Sequence, residues 1–276
     1  MHHHPFHPRH PAPGTSAGQH IRQLRQQAGF SQLDLSLLAG VSQRHLSCVE
    51  TGRAKASPST LHALLSALGA ALEQCNEVFL AAGYAPRYAA SSLDAPGMKM
   101  MHTAIGHILQ ANNPAPAIVI DSQWEVVAAN VSTGLLLAMA GVAQEATARL
   151  NLLDTLLRPG GLGDRLANAQ EIRAVAWQRA AREAGSNPAL AERLRNLSAP
   201  GESLHTTHSG PVLLTRVNTS EGELRFLSTF TTFGMPLDIT VQSLRIEHLI
   251  PADETTWQRM RTAFEKHDSA ACHALT

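Results

Sequence analysis

Ser31-Gln-Leu-Asp-Leu-Ser-Leu-Leu-Ala-Gly-Val-Ser-Gln-Arg-His-Leu-Ser-Cys-Val-Glu-Thr-Gly-Arg53 reads as two short helices set around a tight turn. Ser31 is a predicted N-cap, and Asp34 three residues on is its capping-box partner. Leu33, Leu35, Leu37 and Leu38 fill the first of these helices, which stops at Gly40. Ala39-Gly40-Val41 makes the turn, because glycine accepts a positive φ without cost. Ser42 caps the second helix, which runs to Thr51 and ends at Gly52. Val41, Leu46 and Val49 are expected to face inward and hold this helix at a steep angle. Gln43, Arg44, Ser47 and Cys48 then project outward from its N-terminal half. A recognition helix enters the major groove of DNA in this way.

Working outward, Ile21, Leu24, Arg25 and Ala28 mark a preceding helix that ends at Gly29. Ser57-Pro58 opens a following one, with proline at the first helical position and Leu61, Leu64, Leu65 and Leu68 as its apolar stripe. A fifth helix spans Leu72 to Ala82 and is closed by Gly83. Residues 18–83 therefore read as an all-α, five-helix helix-turn-helix domain. Residues 1–17 are a His- and Pro-rich tail, expected to be disordered and solvated, with metal chelation as the alternative. Residues 84–97 hold Pro86, Ser91, Ser92, Pro96 and Gly97 and read as a linker.

The five-helix segment resembles the Xre/Cro/phage-repressor family. That resemblance implies base-edge contacts at Gln43, Arg44, Ser47 and Cys48. Arginine pairs bidentately with guanine and glutamine with adenine, each contributing roughly 1–3 kcal/mol of discrimination. It also implies a phosphate contact by Gln32, at a helix start whose free N–H groups favour an anion. Arg53 and Lys55, just past the recognition helix, would meet phosphates as well. Arg25 and Glu50 match a family pair that bridges the first and third helices, so they are read as scaffold. His45 either lies on DNA or is solvated. The outward face of the recognition helix carries Gln, Arg and Ser without an apolar patch, which argues against a bundle used only for protein contacts.

Composition agrees with a regulator built from two domains. Apolar residues make up 44% of the 276 and charged residues 16%, a globular balance. Residues 1–90 carry seven Lys/Arg against four Asp/Glu, whereas the remainder is slightly acidic. Cys48, Cys75 and Cys272 are too scattered for a disulfide framework or a zinc site. With no apolar run long enough to span a bilayer and no signal core, a cytoplasmic protein is expected, with no membrane role.

Past Met98, two short apolar runs, 117–120 and 125–129, flank Asp121-Ser122-Gln123. Helical stretches follow at 132–141, 151–157, 168–184 and 188–197, and strand-like runs at 212–218, 223–233 and 239–250. In the last run Ile239, Val241, Leu244, Ile246 and His248 alternate with polar neighbours. This order gives an α+β domain over residues 98–266, with helices on one face of an antiparallel sheet and a tail at 267–276. The stretches Pro116–Asn130, Asn151-Leu-Leu, Ala176-Trp177, Thr229–Asp238 and Leu244-Arg-Ile-Glu247 are similar to the MmyB-like regulators. Their C-terminal domain is PAS-like, which implies a small apolar ligand such as a fatty acid. Trp124, Asn130, Trp177, His208, Phe226 and Phe230 are the candidate pocket residues, with core packing or a turn hydrogen bond as the plain alternative. No GxSxG, P-loop, HExxH or strand-borne GxGxxG is present, and Arg158–Gly163 is Gly-rich without the Lys-Ser/Thr of a phosphate cradle. No catalytic residue, metal or cofactor is expected. The sequence thus predicts a homodimeric repressor that binds a double-stranded operator and is modulated by a fatty-acid-like molecule. An antitoxin-type protein, or a regulator with an enzymatic second domain, is the alternative.

Overall fold

The computed structural model describes residues 16–142, 150–185, 187–201 and 211–273. In chain order its first helices are α1 (Ala17–Gln27), α2 (Gln32–Ala39), α3 (Gln43–Glu50), α4 (Pro58–Ala67) and α5 (Leu72–Ala81). Then come α6 (Lys99–Asn112), β1 (Ala117–Ile120), β2 (Val126–Ala129), α7 (Val131–Met139) and α8 (Leu152–Leu157). The chain continues with α9 (Ala169–Ala184), α10 (Pro188–Arg195), β3 (Leu214–Thr219) and β4 (Gly222–Thr232). It closes with α11 (Ile239–Ser243), β5 (Arg245–Pro251) and α12 (Glu254–His273). Contacts divide it into two compact units, Met1–Ser91 with Met235–Gln242, and Ser92–Gly234 with Ser243–Thr276.

The first unit is helical because its sequence punctuates itself. Ser16, Ser31, Ser42 and Ser57 each accept a backbone N–H from three residues downstream and so start α1 to α4. Gly40 sits at φ 66°, so α2 can turn sharply into α3. Ile21, Leu35, Leu46, Leu61, Leu64 and Leu65 are fully buried and form one core. Each stabilises the fold by roughly 1.5–3 kcal/mol. Tyr84 and Tyr88, in the stretch that reads as linker, pack on this core, and the Tyr84 hydroxyl donates to Ala56 O at 3.0 Å.

The start of α5 lacks a local cap, since Ala71 offers no side-chain acceptor. Gln242 supplies it: its Oε1 accepts the Leu72 N–H at 2.7 Å. Residues 239–250, expected as one strand, are instead α11 followed by β5. The reason is Asp238, whose Oδ1 accepts from Thr240 N at 2.9 Å and starts a helical turn that overrides the alternation of Ile239 and Val241. Ile239 N donates to Ala89 O at 2.8 Å, and Ser91 N to Asp238 Oδ2 at 3.1 Å, so this short segment is tied to the first unit at three points.

The second unit is α+β. Its five strands lie in the order β2-β1-β5-β4-β3, every pair antiparallel. The central strand β5 is matched Ile246↔Val119 on one side and Glu247↔Phe230 on the other. Its alternate residues face two cores. Leu244 and Ile246 join Ile105 and Leu109 of α6. On the opposite face Phe226 and Leu224 join Leu136, Leu153, Leu190 and Met260 from α7, α8, α10 and α12. The sequence pattern assigns no element to 254–266 and reads 267–276 as a tail, whereas α12 runs from Glu254 to His273. The Gly-rich turn at 158–163 packs against the end of α8, where a Cβ on Gly163 would lie 1.9 Å from Leu156 O. Close approach to α8 is what Gly161 and Gly163 serve, and Gly160 takes a positive φ of 83°.

Candidate nucleic-acid interface and ligand site

In the first unit the recognition helix is held from behind. Arg25 Nε and Nη2 grip Glu50 Oε1 and Oε2 at 2.6 and 2.9 Å, and Arg25 Nη1 donates to Phe30 O at 2.8 Å. Both residues are buried, Arg25 at 8% and Glu50 at 4% exposure. Burial works to raise the Glu50 pKa, but hydrogen bonds from Arg25 and Gln32 outweigh it, and the carboxyl titrates below its ordinary value. The bridge thus locks α1 to the end of α3, as the resemblance implied.

The expected base readers emerge on the other side of α3. Gln43 and Arg44 are exposed, and Ser47 and Cys48 half-buried. Among the described residues no hydrogen bond or ion pair occupies the side chains of these four. Arg53 and Lys55 are exposed, and Lys55 Nζ stands 4.8 Å over the Tyr84 ring. Gln32 departs from expectation. Its Nε2 donates to Glu50 Oε2 at 2.8 Å, so the amide extends the buried bridge. At the start of α2 the capping box takes the Ser31 and Asp34 N–H groups, through Asp34 Oδ2 and Ser31 Oγ. A second departure lies on α2, where Leu33, Leu37 and Leu38 are 50–72% exposed. The recognition helix carries no apolar patch, but the helix beside it does.

In the second unit the candidate pocket residues separate. Asn130 is structural: its Oδ1 accepts from Ala117 N and Thr133 N at 3.0 Å, while its Nδ2 donates to Ala115 O at 2.8 Å and Leu109 O at 3.3 Å. It ties α6, β1 and the start of α7 together and has no capacity left for a ligand. Phe226 is fully buried core, and Trp177 packs against the same cluster from α9. His208 lies outside the described residues. Trp124 and Phe230 come together around charged groups that the sequence does not single out.

Trp124 adopts φ 63°, the one positive φ of a non-glycine residue among those described. Such strain in a bulky residue persists only where the surroundings enforce it. The Asp121 side chain does so by accepting from Gln123 N and Glu125 N at 2.8 and 3.0 Å. The indole is thereby buried, and its Nε1 donates to Glu183 Oε2 at 2.9 Å. Glu183 also receives Arg179 Nε at 3.1 Å and Arg245 Nη1. Burial works against the Glu183 charge, but these three donors outweigh it and lower its pKa. Arg179 stacks on Phe230 at 3.9 Å from the ring centroid, and both arginines lie within 5.5 Å of the Trp124 ring centroid. Glu247, opposite Phe230 on β5, accepts from the Ser228 hydroxyl, and its burial pushes its pKa up.

The sequence does hold a signal for this cluster. Arg245 and Glu247 alternate with Leu244 and Ile246, and on a central strand under helices both faces are buried, so the charged face needs partners. A separate open, polar cleft of about 410 Å³, lined by Met139, Asp164, Arg165 and Asn218 among others, shares no residue with the cluster. Among the described residues no helix is long and apolar enough to cross a membrane.

Comparison with known proteins agrees with both units. Residues 16–78 match the family model described as helix-turn-helix domain. Residues 101–263 match that of the MmyB-like transcription regulator ligand binding domain. No curated protein matches the chain. Among solved structures, one titled as an RNA-binding Light-Oxygen-Voltage receptor is 14% identical with a TM-score of 0.26. That match covers 94% of this chain and spans 66% of the other, and at such a score it carries no argument.

Proposed function

This chain belongs to the MmyB-like transcription regulators, DNA-binding proteins with a small-molecule ligand-binding domain, and we propose that it is a dimeric repressor whose hold on its operator is set by an apolar ligand such as a fatty acid. The observation that carries the DNA half is the free outward edge of α3: Gln43 and Arg44 stand exposed while Arg25 and Glu50 brace the helix from behind. In this reading Gln43, Arg44, Ser47 and Cys48 meet base edges, and Arg53, Lys55 and the start of α2 at Gln32 meet phosphates. Two such helices in a dimer would read half-sites about one helical turn apart.

The ligand half is supported by Trp124 and Phe230, which flank a polar island in an otherwise apolar core. Coupling is supported by chain connectivity. Residues 235–242 complete the first unit by capping α5, yet they join β4 to β5 of the second. A ligand that moves the start of β5 therefore pulls on a segment that belongs to the DNA-binding unit, and ligand and DNA must alter each other's affinity reciprocally.

Selection of bound duplexes from a random pool, with and without lipid extract, tests this reading. Enrichment of a two-fold symmetric site that shifts in strength with lipid supports it. Retention of random DNA without enrichment overturns sequence-specific reading, and enrichment indifferent to lipid overturns the coupling. The exposed leucines of α2 favour a second reading, contact with a protein partner as in antitoxins. A stoichiometric toxin that co-purifies with the chain would decide for it, and a symmetric dimer broken by Leu37→Glu would decide against it.

A further inference from the structure

The helix beside the recognition helix is apolar on both of its faces. Its sequence is Gln32-Leu-Asp-Leu-Ser-Leu-Leu-Ala39, and Leu35 turns inward, fully buried in the core of the first unit. Ser36 is buried with it, and its hydroxyl donates to Leu33 O at 2.8 Å. The other three leucines point outward: Leu33 is 50% exposed, Leu37 72% and Leu38 60%. A surface helix keeps its outer face polar, whereas a helix apolar all round is one that something covers. Leu33 and Leu37 stand one turn apart and form a ridge, with Leu38 on its flank. Asp34, the one charged residue of α2, is turned back onto the cap and accepts from Ser31 N at 3.1 Å and Ser31 Oγ at 2.6 Å. The face therefore has no free charge with which to select a charged partner. Its natural complement is another apolar ridge, and the chain supplies one in the same face of a second copy, met across a two-fold axis.

Size limits what such a contact does. Three partly exposed leucines make a patch on the order of 300 Å². That is well under the ~800 Å² that each partner buries in a stable complex. The patch alone does not hold two copies together in dilute solution. It acts where copies are already tethered, because tethering turns the second contact into an intramolecular one at high effective concentration. DNA is such a tether. In a helix-turn-helix pair the second helix lies in the major groove and the first crosses the phosphate backbone. α2 is the first helix, so its outer flank looks along the duplex, past the groove that its own α3 reads.

We propose that the Leu33–Leu37–Leu38 face of α2 is the contact between copies of this chain seated at neighbouring sites on one duplex, so that occupancy of one site promotes occupancy of the next. This rests on the reading of the first unit as a sequence-specific DNA binder, and it adds that the sites fill cooperatively. Two-fold symmetric sites side by side present their adjacent halves inverted, as a contact across a two-fold axis requires.

The test uses the full chain and duplexes that carry the site enriched from a random pool, once or twice, with occupancy followed by footprinting. In the wild type, paired sites on the same side of the duplex are expected to fill at about tenfold lower concentration than a single site. Moving one site by half a turn, about 5 base pairs, should remove that gain, because it carries the two faces to opposite sides of the DNA. Leu37→Gln should remove it as well. It adds no charge for the phosphates to repel, and Leu37, 72% exposed, is not among the proposed DNA contacts, so single-site affinity should stay unchanged. If the second site fills independently of the first at every spacing, the α2 face does not join copies, and the operator reading still stands. Cooperativity that survives in Leu37→Gln, or that ignores the half-turn shift, places the contact elsewhere and overturns the assignment. A free-chain dimer lost in Leu37→Gln overturns the size argument, and a different protein released from the face by that substitution overturns the choice of a second copy. If no site is enriched at all, the operator reading fails and this proposal with it.

Discussion

Arg25 and Arg245 are both buried arginines that hold a glutamate, yet they differ in what they leave over. At Arg25 all three nitrogens are engaged within the first unit, two on Glu50 and one on Phe30. At Arg245 one nitrogen is engaged and two have no hydrogen-bond partner among the described residues. A satisfied ion pair of this kind fixes two helices and needs nothing more from outside. An unsatisfied one carries the desolvation penalty of its unpaired donors. Arg44, the proposed base reader, is a third type: exposed and without a partner among the described residues, so water serves it.

The sharpest way to break this comparison is to remove a partner from the satisfied pair. Glu50→Ala leaves Arg25 buried and uncompensated and also strands Gln32 Nε2. It is expected to cost about 3–5 kcal/mol and to release α3 from α1. The two units can be followed separately, because Tyr84 and Tyr88, the two tyrosines, lie in the first and all three tryptophans in the second. The loss should appear in tyrosine absorbance during urea unfolding and leave the tryptophan transition in place. A matching loss on Arg245→Lys, seen by tryptophan fluorescence, would mean that Arg245 is as structural as Arg25.

These two arginines also mark what is legible in the sequence. The first unit's helices are readable because their determinants are local: Ser31 and Asp34, Ser42 and Gly40 each act within four residues. The Arg25–Glu50 bridge is recognisable through resemblance to a family. For the polar cluster of the second unit the alternation of Arg245 and Glu247 signals a charged face, but its partners are not readable, because Trp124, Glu183 and Arg245 meet only when β5 inserts between β1 and β4. Asn130 makes a pocket candidate through the PAS-like resemblance, whereas its amide is consumed by four hydrogen bonds to backbone groups. The cap on α5 is invisible for a related reason, as Gln242 stands 170 residues from the N–H it serves.

Arg44→Ala tests the exposed type. It should remove roughly 1–3 kcal/mol of preference at one base position and leave random-sequence binding nearly unchanged. Equal losses on selected and random duplexes would assign Arg44 to phosphate. Gln242→Ala comes next, at about 1 kcal/mol, the usual cost of a lost N-cap acceptor. Its sharper reading is in coupling: the variant's operator affinity should respond less to lipid than the wild type's does, with lipid binding itself unchanged. Lys55→Ala should be smaller still, a weakening on all sequences alike with the salt slope reduced by about one.

The smallest effect contrasts the carboxyls in place of the guanidinia, and its sign separates Glu50 from Glu247. Glu50 is held below its ordinary pKa, so its share of stability is fully present above the unfolded carboxylate range and is lost as pH falls through the folded value. Glu247 is held above its ordinary pKa, so its contribution runs the other way: present at low pH, and lost as pH rises from the unfolded value through the folded one. Acidification from neutrality should therefore weaken the tyrosine-reported transition through Glu50, while in the second unit Glu183, also held below its ordinary pKa, acts in the same direction and Glu247 opposes it. Glu247→Gln mimics the neutral acid and can keep an acceptor for Ser228. It should stabilise the second unit at pH 8 and do nothing at pH 4. If it destabilises at pH 8, Glu247 is ionised and paired there.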